Sequence, residues 1–238
     1  MKNPVRPKIL PWFTMGAGGI GLALRIWLYD CRDEKGLLPA AHPSITLLFI
    51  LTALTMGVLF LCARRISPDG AYSDCFPPSV RGAVGGTAAA LGIALFSVTE
   101  ALSGIDGFTW VTLPVGLLAA AALCFCAVYR FKGTRPSFYL YCVVAIYLML
   151  HAVSQCRAWG AEPQLHSYCF QLLASIFLML AGYHRCALSI DKGNYRWFLF
   201  TSQAALFFCC VSLNTENSLF YMTLAIWMAA DLCTLQEA

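Results

Sequence analysis

The sequence predicts an all-α integral membrane protein: one polytopic domain over residues 1–238, eight transmembrane helices paired as four antiparallel hairpins, and both termini cytoplasmic. Three observations point there. The first is composition: of 238 residues, 59% are hydrophobic and 12% charged, with a mean hydropathy of +0.68, whereas a water-solvated domain carries about 25% charged residues. The same apolar richness excludes a disordered chain, and a net charge of +4 gives nucleic acid little to bind. The second is length: eight apolar stretches of 17 to 21 residues, against the about 20 a helix needs to cross a hydrocarbon core about 30 Å thick. None shows the period-two alternation of a membrane β-barrel strand. The third is the alternation of lysine and arginine between successive connections.

In order, the stretches are 9–29, 44–63, 82–101, 109–129, 137–156, 167–184, 197–213 and 218–234. The first follows Lys2, Arg6 and Lys8 as a signal peptide would. Its apolar run is too long for one, however, and ends in Arg25-Ile26-Trp27-Leu28-Tyr29-Asp30 rather than a small-residue cleavage site, so it is read as a retained span. It carries Gly16, Gly18, Gly19 and Gly21, and the third stretch carries Gly82, Gly86, Ala90 and Ala94 at four-residue spacing. Small residues let helix backbones approach closely in lipid, so these stripes predict tight packing within the chain, across a homodimer, or against another membrane protein. The run Gly16-Ala17-Gly18-Gly19-Ile20-Gly21 matches a dinucleotide fingerprint in letters only, because no strand precedes it. The last two stretches are the shortest and flank a polar turn, Asn214-Thr215-Glu216-Asn217. The longest connection, 64–81, is rich in proline and glycine and reads as a series of turns rather than a helix. No connection is large enough for a soluble domain.

Cytoplasmic loops retain positive charge. The N-terminus and alternate connections hold Lys2, Arg6, Lys8, Arg64, Arg65, Arg81, Arg130, Lys132, Arg135, Arg185, Lys192 and Arg196, while the other set holds Arg32, Lys35 and Arg157. That is 12 against 3, with Arg25 inside a span. The asymmetry places both termini in the cytoplasm and the chain in the cell (plasma or inner) membrane as a multi-pass protein. Aromatic residues agree, since their rings prefer the headgroup level. Trp27, Tyr29, Trp110, Trp159, Tyr168 and Tyr221 fall near the outer ends; Trp12, Tyr129, Tyr139, Tyr183, Tyr195 and Trp197 fall near the inner ends; Trp227 alone falls mid-membrane.

Polar residues at membrane depth are the functional candidates, because a charge at the bilayer centre costs at least about 2.5 kcal/mol. Arg25, Glu100, His151, Gln155 and Gln171 all fall in the outer half. They predict a polar site that binds or transports a small solute. Glu216, Asn214, His42, Glu162 and His166 lie in the adjoining connections. A weaker inner pair is Asp231 with Gln203, where Asp231 is also within reach of water or Arg196. His184 and Arg185 read as interfacial. Two other readings stand beside the solute site: a non-catalytic accessory or assembly subunit docked through the glycine-lined helices, and an intramembrane enzyme acting on a lipid-like substrate. For catalysis the sequence gives no positive sign, since neither G-x-S-x-G nor H-E-x-x-H occurs. None of the 12 cysteines forms a C-x-x-C pair, which argues against a metal centre, and no cofactor is implied. Cys31, Cys156 and Cys169 fall near the outer surface, where a disulfide among them is open.

Overall fold

A computed structural model describes residues 9–31, 42–66, 72–103, 108–159, 165–215 and 217–235. Lys2, Arg6, Lys8, Arg32, Lys35, Glu162 and Glu216 lie outside these residues, and the side chains of Trp159 and His166 are likewise undescribed. All regular structure among the described residues is helical: α1 (Leu10–Asp30), α2 (Pro43–Arg64), α3 (Tyr72–Cys75), α4 (Val80–Ser103), α5 (Thr109–Lys132), α6 (Phe138–Trp159), α7 (Leu165–Ser189), α8 (Tyr195–Val211) and α9 (Ser218–Cys233).

Each apolar stretch becomes one helix, and most run past the apolar residues into polar ones. Local chemistry sets the starts. Pro11 and Pro43 stand in the first turns of α1 and α2, where a missing N–H costs nothing. His42 caps α2 by accepting from the Ser44 N–H at 3.3 Å, and Asn194 caps α8 by accepting from the Arg196 N–H at 3.1 Å. α5 stops at Gly133, whose φ of 68° is a left-handed conformation that a glycine adopts freely. The expectation for 64–81 is corrected in one respect: it contains the helical turn α3. Tyr72, Cys75 and Phe76, at positions i, i+3 and i+4, are all buried, so anchoring side chains override the turn-forming composition around them.

Five helices, α2, α4, α5, α6 and α7, are long and apolar enough to cross a membrane. This character fits a polytopic, membrane-embedded protein. α1 has the length, but its glycines and Arg25 dilute its hydropathy. α8 and α9, of 17 and 16 residues, are about 26 and 24 Å long. α8 is surrounded by protein, with almost every residue from Tyr195 to Val211 buried, whereas only 17% of the apolar window of α2 is covered.

Helices α4, α5, α6, α7, α8 and α9 pack in that order as a closed ring, with α9 returning to α4; α1 and α2 lie outside it against α8. Small residues set the tight contacts. A Cβ on Gly92 would meet Thr223 Oγ1 at 2.0 Å, one on Gly85 would meet Ala230 Cβ at 2.5 Å, and one on Gly116 would meet Ser97 Oγ at 2.1 Å. These pairings run α4 antiparallel to both α9 and α5. Thr14 reaching Gln203, and Arg25 reaching Val211, run α1 parallel to α8. Contacts pass from α7 to α8 and from α9 to α4 as well as within α4–α5, α6–α7 and α8–α9, so the ring is continuous across the expected hairpins. We call the end where α1 begins the basal end and the opposite one distal.

Of the predicted packing glycines, Gly18 abuts Cys210, Gly82 abuts Arg130 and Gly86 abuts Ala127, while Gly16 has nothing within 4 Å. Aromatic residues at the two ends follow the predicted belts: Trp12, Tyr139, Tyr183 and Trp197 are exposed at the basal end, Trp27 and Trp110 at the distal end. Tyr195 and Tyr221 depart from them and are buried inside the bundle.

Candidate functional site

Among the described residues, the densest buried charge lies inside the basal end of the ring. Arg185 of α7 forms an ion pair with Asp231 of α9, with side-chain exposures of 4% and 2%. Arg130 of α5 is equally buried and donates from Nη2 to Thr234 Oγ1 at 3.0 Å. Among the described residues, two guanidiniums therefore face one carboxylate, a surplus of one positive charge out of water. Four buried atoms of this cluster have no hydrogen-bond partner among the described residues: Nε and Nη1 of Arg130, Nε of Arg185 and Oδ1 of Asp231. Buried unpaired donors of this kind are rare and costly.

Aromatic rings hold the arginines in place. The Arg185 guanidinium carbon lies 5.0, 5.0 and 5.2 Å from the ring centroids of Phe76, Tyr141 and Trp227, and that of Arg130 lies 4.9 Å from Phe76. Cations over ring faces gain about 2 kcal/mol when desolvated. Trp227, which hydropathy alone puts mid-membrane without a purpose, thus serves as a wall for Arg185. Gly82 opens the α4 wall, since a Cβ there would stand 3.0 Å from Arg130 Nε and 3.6 Å from Asp231 Oδ1. The cavity between these groups is about 10 Å³, the room a single water needs.

A plug stands beside the two arginines at the basal end of the ring. α3 and Phe76 insert Tyr72, Cys75 and Phe76 into the ring, and Tyr72 Oη pairs with Tyr141 Oη at 3.1 Å. A latch fastens the plug from outside. Asp191, at a φ of 53°, accepts from the Tyr72 N–H at 3.1 Å and pairs with Arg135 Nη1 at 2.7 Å. These two donors hold the Asp191 carboxyl below its usual range, the Tyr72 N–H contributing most. Burial pushes the Tyr72 phenol up, against the pull of Arg185.

The distal residues predicted as one site fall into three places. His151, Gln155 and Gln171 do come together, in a network across α6, α7 and α9. The Gln155 amide donates to His151 Nε2 at 2.9 Å and to Tyr221 Oη at 2.7 Å. Its carbonyl oxygen accepts from Ser175 Oγ at 2.8 Å. Gln171 joins through its main-chain carbonyl, which accepts from Tyr221 Oη at 3.3 Å. Phe96 and Phe220 close over His151, with centroids at 5.1 and 4.5 Å. Both amide hydrogens of Gln155 are taken by its neighbours, and its oxygen accepts from Ser175. Arg25 lies elsewhere, donating to the Val211 carbonyl at 3.2 Å and to Tyr29 Oη at 3.3 Å. Glu100 is half-buried on α4, which packs on α5 and α9 rather than on α1. The ion pairs among the described residues are Arg135–Asp191 and Arg185–Asp231, so Arg25 and Glu100 do not meet.

The predicted inner pair also separates. Gln203 accepts from Thr14 Oγ1 at 2.7 Å on the far side of α8, while Asp231 engages Arg185 rather than Arg196 or water. The twelve cysteines are all free, Cys31, Cys156 and Cys169 included, and no group of metal-ligating side chains occurs among the described residues. Arg130 and Arg185 are what sequence reasoning missed. The signal was Gly82 and Gly86, whose stripe on the third span makes room for Arg130 and for Ala127 one turn before it. No protein-family model, curated protein or solved structure matches the chain.

Proposed function

We infer that this polytopic membrane protein, with both termini cytoplasmic, binds and moves a small anionic solute at the basal site of Arg130, Arg185 and Asp231. One observation carries the reading: two buried guanidiniums share one carboxylate and leave three donor nitrogens facing inward without partners. An ionisable residue inside a membrane bundle is a functional candidate by default, and a planar guanidinium fork suits a carboxylate or phosphate oxygen pair. In the distal network both amide hydrogens of Gln155 are already bonded within the chain, which supports a structural role for it.

A bound anion would complete Arg130 and compete with Asp231 for Arg185. That competition loosens the α7–α9 tie, so part of the binding free energy goes into displacing α9. At its other end α9 carries Tyr221, ten residues from Asp231 and about 15 Å away along the helix, in the distal network. Motion of α9 would thus couple the two ends. Entry of a solute requires the site to widen, with α3 and Phe76 the elements that would withdraw on the basal side, because the cavity has room for no more than a water.

The test is thermal unfolding of the full chain in nanodiscs of zwitterionic lipid, with phosphate or acetate added against chloride at equal ionic strength. A specific anion present at 100 times its Kd stabilises by about 2.7 kcal/mol. The midpoint should rise with phosphate or acetate, should lose that rise in Arg130→Gln, and should regain part of it in Arg130→Lys. Identical responses of the wild type and Arg130→Gln to all three ions would remove the anion site and leave the cluster as a structural lock.

A further inference from the structure

A second polar groove opens at the basal end between α2 and α8, outside the ring and away from the buried arginines. Its volume is about 220 Å³, lined by Phe60, Ala63, Arg64, Asn194, Arg196 and Trp197. The floor is aromatic: the rings of Phe60, Trp197 and Phe200 pack on one another with centroids 6.0 to 6.5 Å apart. The rim is cationic. Arg64 stands 5.8 Å over the Phe60 ring. Arg196 donates from Nε to the Ile66 carbonyl, which fixes its guanidinium beside the end of α2, and its two terminal nitrogens have no partner among the described residues. Among the described residues, no acidic side chain lines the groove.

Above the rim, Ala53, Gly57, Phe60 and Arg64 share one face of α2, at helical spacing. Ala53 and Gly57 are exposed, and a Cβ on Gly57 would have nothing within 4 Å. Small residues therefore leave a furrow that runs from the groove towards the membrane interior, flanked by the exposed side chains of Leu54, Val58 and Leu61. Sites that engulf a whole ligand occupy about 300–1,000 Å³. This groove is smaller, open on the lipid side, and marked by Trp197 as lying at headgroup level. A headgroup fits it while the chains stay in the bilayer.

We propose that this groove binds an anionic phospholipid, its phosphate held by Arg64 and Arg196 and one acyl chain laid along Ala53 and Gly57 of α2. Paired arginines with no counter-charge among the described residues of the groove select a net anionic lipid over a zwitterionic one, as basic pockets between membrane helices do. The site is independent of the buried anion cluster.

Full-length protein is titrated with phosphatidylglycerol and phosphatidylcholine of identical acyl chains, and lipid retention is read by native mass spectrometry. Phosphatidylglycerol should be held more tightly. Arg64→Gln and Arg196→Gln should each weaken it about fivefold, with phosphatidylcholine unchanged, and Lys132→Gln, on α5 outside the groove, should match the wild type. Gly57→Leu should weaken both lipids, because it blocks the furrow and leaves the charge. Arg64 is exposed, so Arg64→Gln carries the test even if Arg196→Gln, which loses its tie to Ile66, fails to fold. Equal retention of the two lipids, or phosphatidylglycerol retention unaffected by Arg64→Gln, overturns the proposal. Ready displacement of phosphatidylglycerol by inorganic phosphate also overturns it, and assigns the groove to a soluble anion.

Discussion

Among the described residues Asp231 is the carboxylate that two desolvated guanidiniums share, so its charge is worth more to the fold than an exposed pair. Removing one partner of a buried ion pair costs about 3–5 kcal/mol, because the other is left uncompensated. Asp231→Asn should therefore lower the thermal midpoint sharply, and adding Arg130→Gln should recover part of the loss by removing the surplus charge. Thermal unfolding of the two single variants and the double variant measures this; a double variant that is less stable than Asp231→Asn would mean the arginines do not repel across the cavity. With its competitor gone, added phosphate should also stabilise Asp231→Asn more than the wild type. The sequence makes Asp231 conspicuous, a lone carboxylate near the end of an apolar stretch. Its partners are hidden, because Arg130 and Arg185 fall one residue beyond the apolar stretches that end at 129 and 184. At such positions a long side chain ordinarily reaches back to water, and only the tertiary path of α3 across the basal end turns these two inward.

At the scale of elements, the long helices are legible from length and hydropathy, and even their starts are written in Pro11, Pro43 and Asn194. The one-turn helix α3 is not, since its signal is three apolar residues inside a connection rich in proline and glycine. Its latch gives it a testable behaviour. Asp191 has a folded pKa below its ordinary value, so its contribution is present above the ordinary carboxyl pKa of about 3.9. That contribution is lost as pH falls through the depressed folded value. Cys75 on the plug is fully buried and reports on it. Its labelling by 4,4′-dithiodipyridine, a thiol reagent that works in acid, should be slow at neutral pH and accelerate below the carboxylate range. Asp191→Asn, which cannot carry the charge, should label faster than the wild type already at pH 7 and show no further acceleration in that acid range. A Cys75 rate that is the same in both proteins at every pH would mean that α3 is held by Tyr72, Cys75 and Phe76 alone.

For the molecule as a whole, the charge asymmetry that orients the chain includes two residues that do not belong to its surface. Arg130 and Arg185 are buried against Asp231, so of the 12 basic residues assigned to the cytoplasmic side ten remain to act as loop charges. Against three on the other side, the bias still favours the proposed orientation, with the basal end cytoplasmic. The harder question is whether α8 and α9 cross. At about 26 and 24 Å they fall short of the about 30 Å hydrocarbon core, and a re-entrant pair would return the C-terminus to the same side as a crossing pair, so reporters fused to the two ends cannot distinguish them. Burial argues for crossing: α8 touches α1, α2, α7 and α9 along its length, and a helix enclosed by other helices need not match the lipid. The turn between them decides. Asn214 is exposed there, at the same end as Trp27 and Trp110. Asn214→Cys should be modified by a membrane-impermeant maleimide added outside intact cells, above the background of the native cysteines, while Lys192→Cys at the basal end should react only after permeabilisation. If Asn214→Cys also requires permeabilisation, the ring has two re-entrant members, and the distal network of Tyr221 sits in mid-membrane instead of near the outer face.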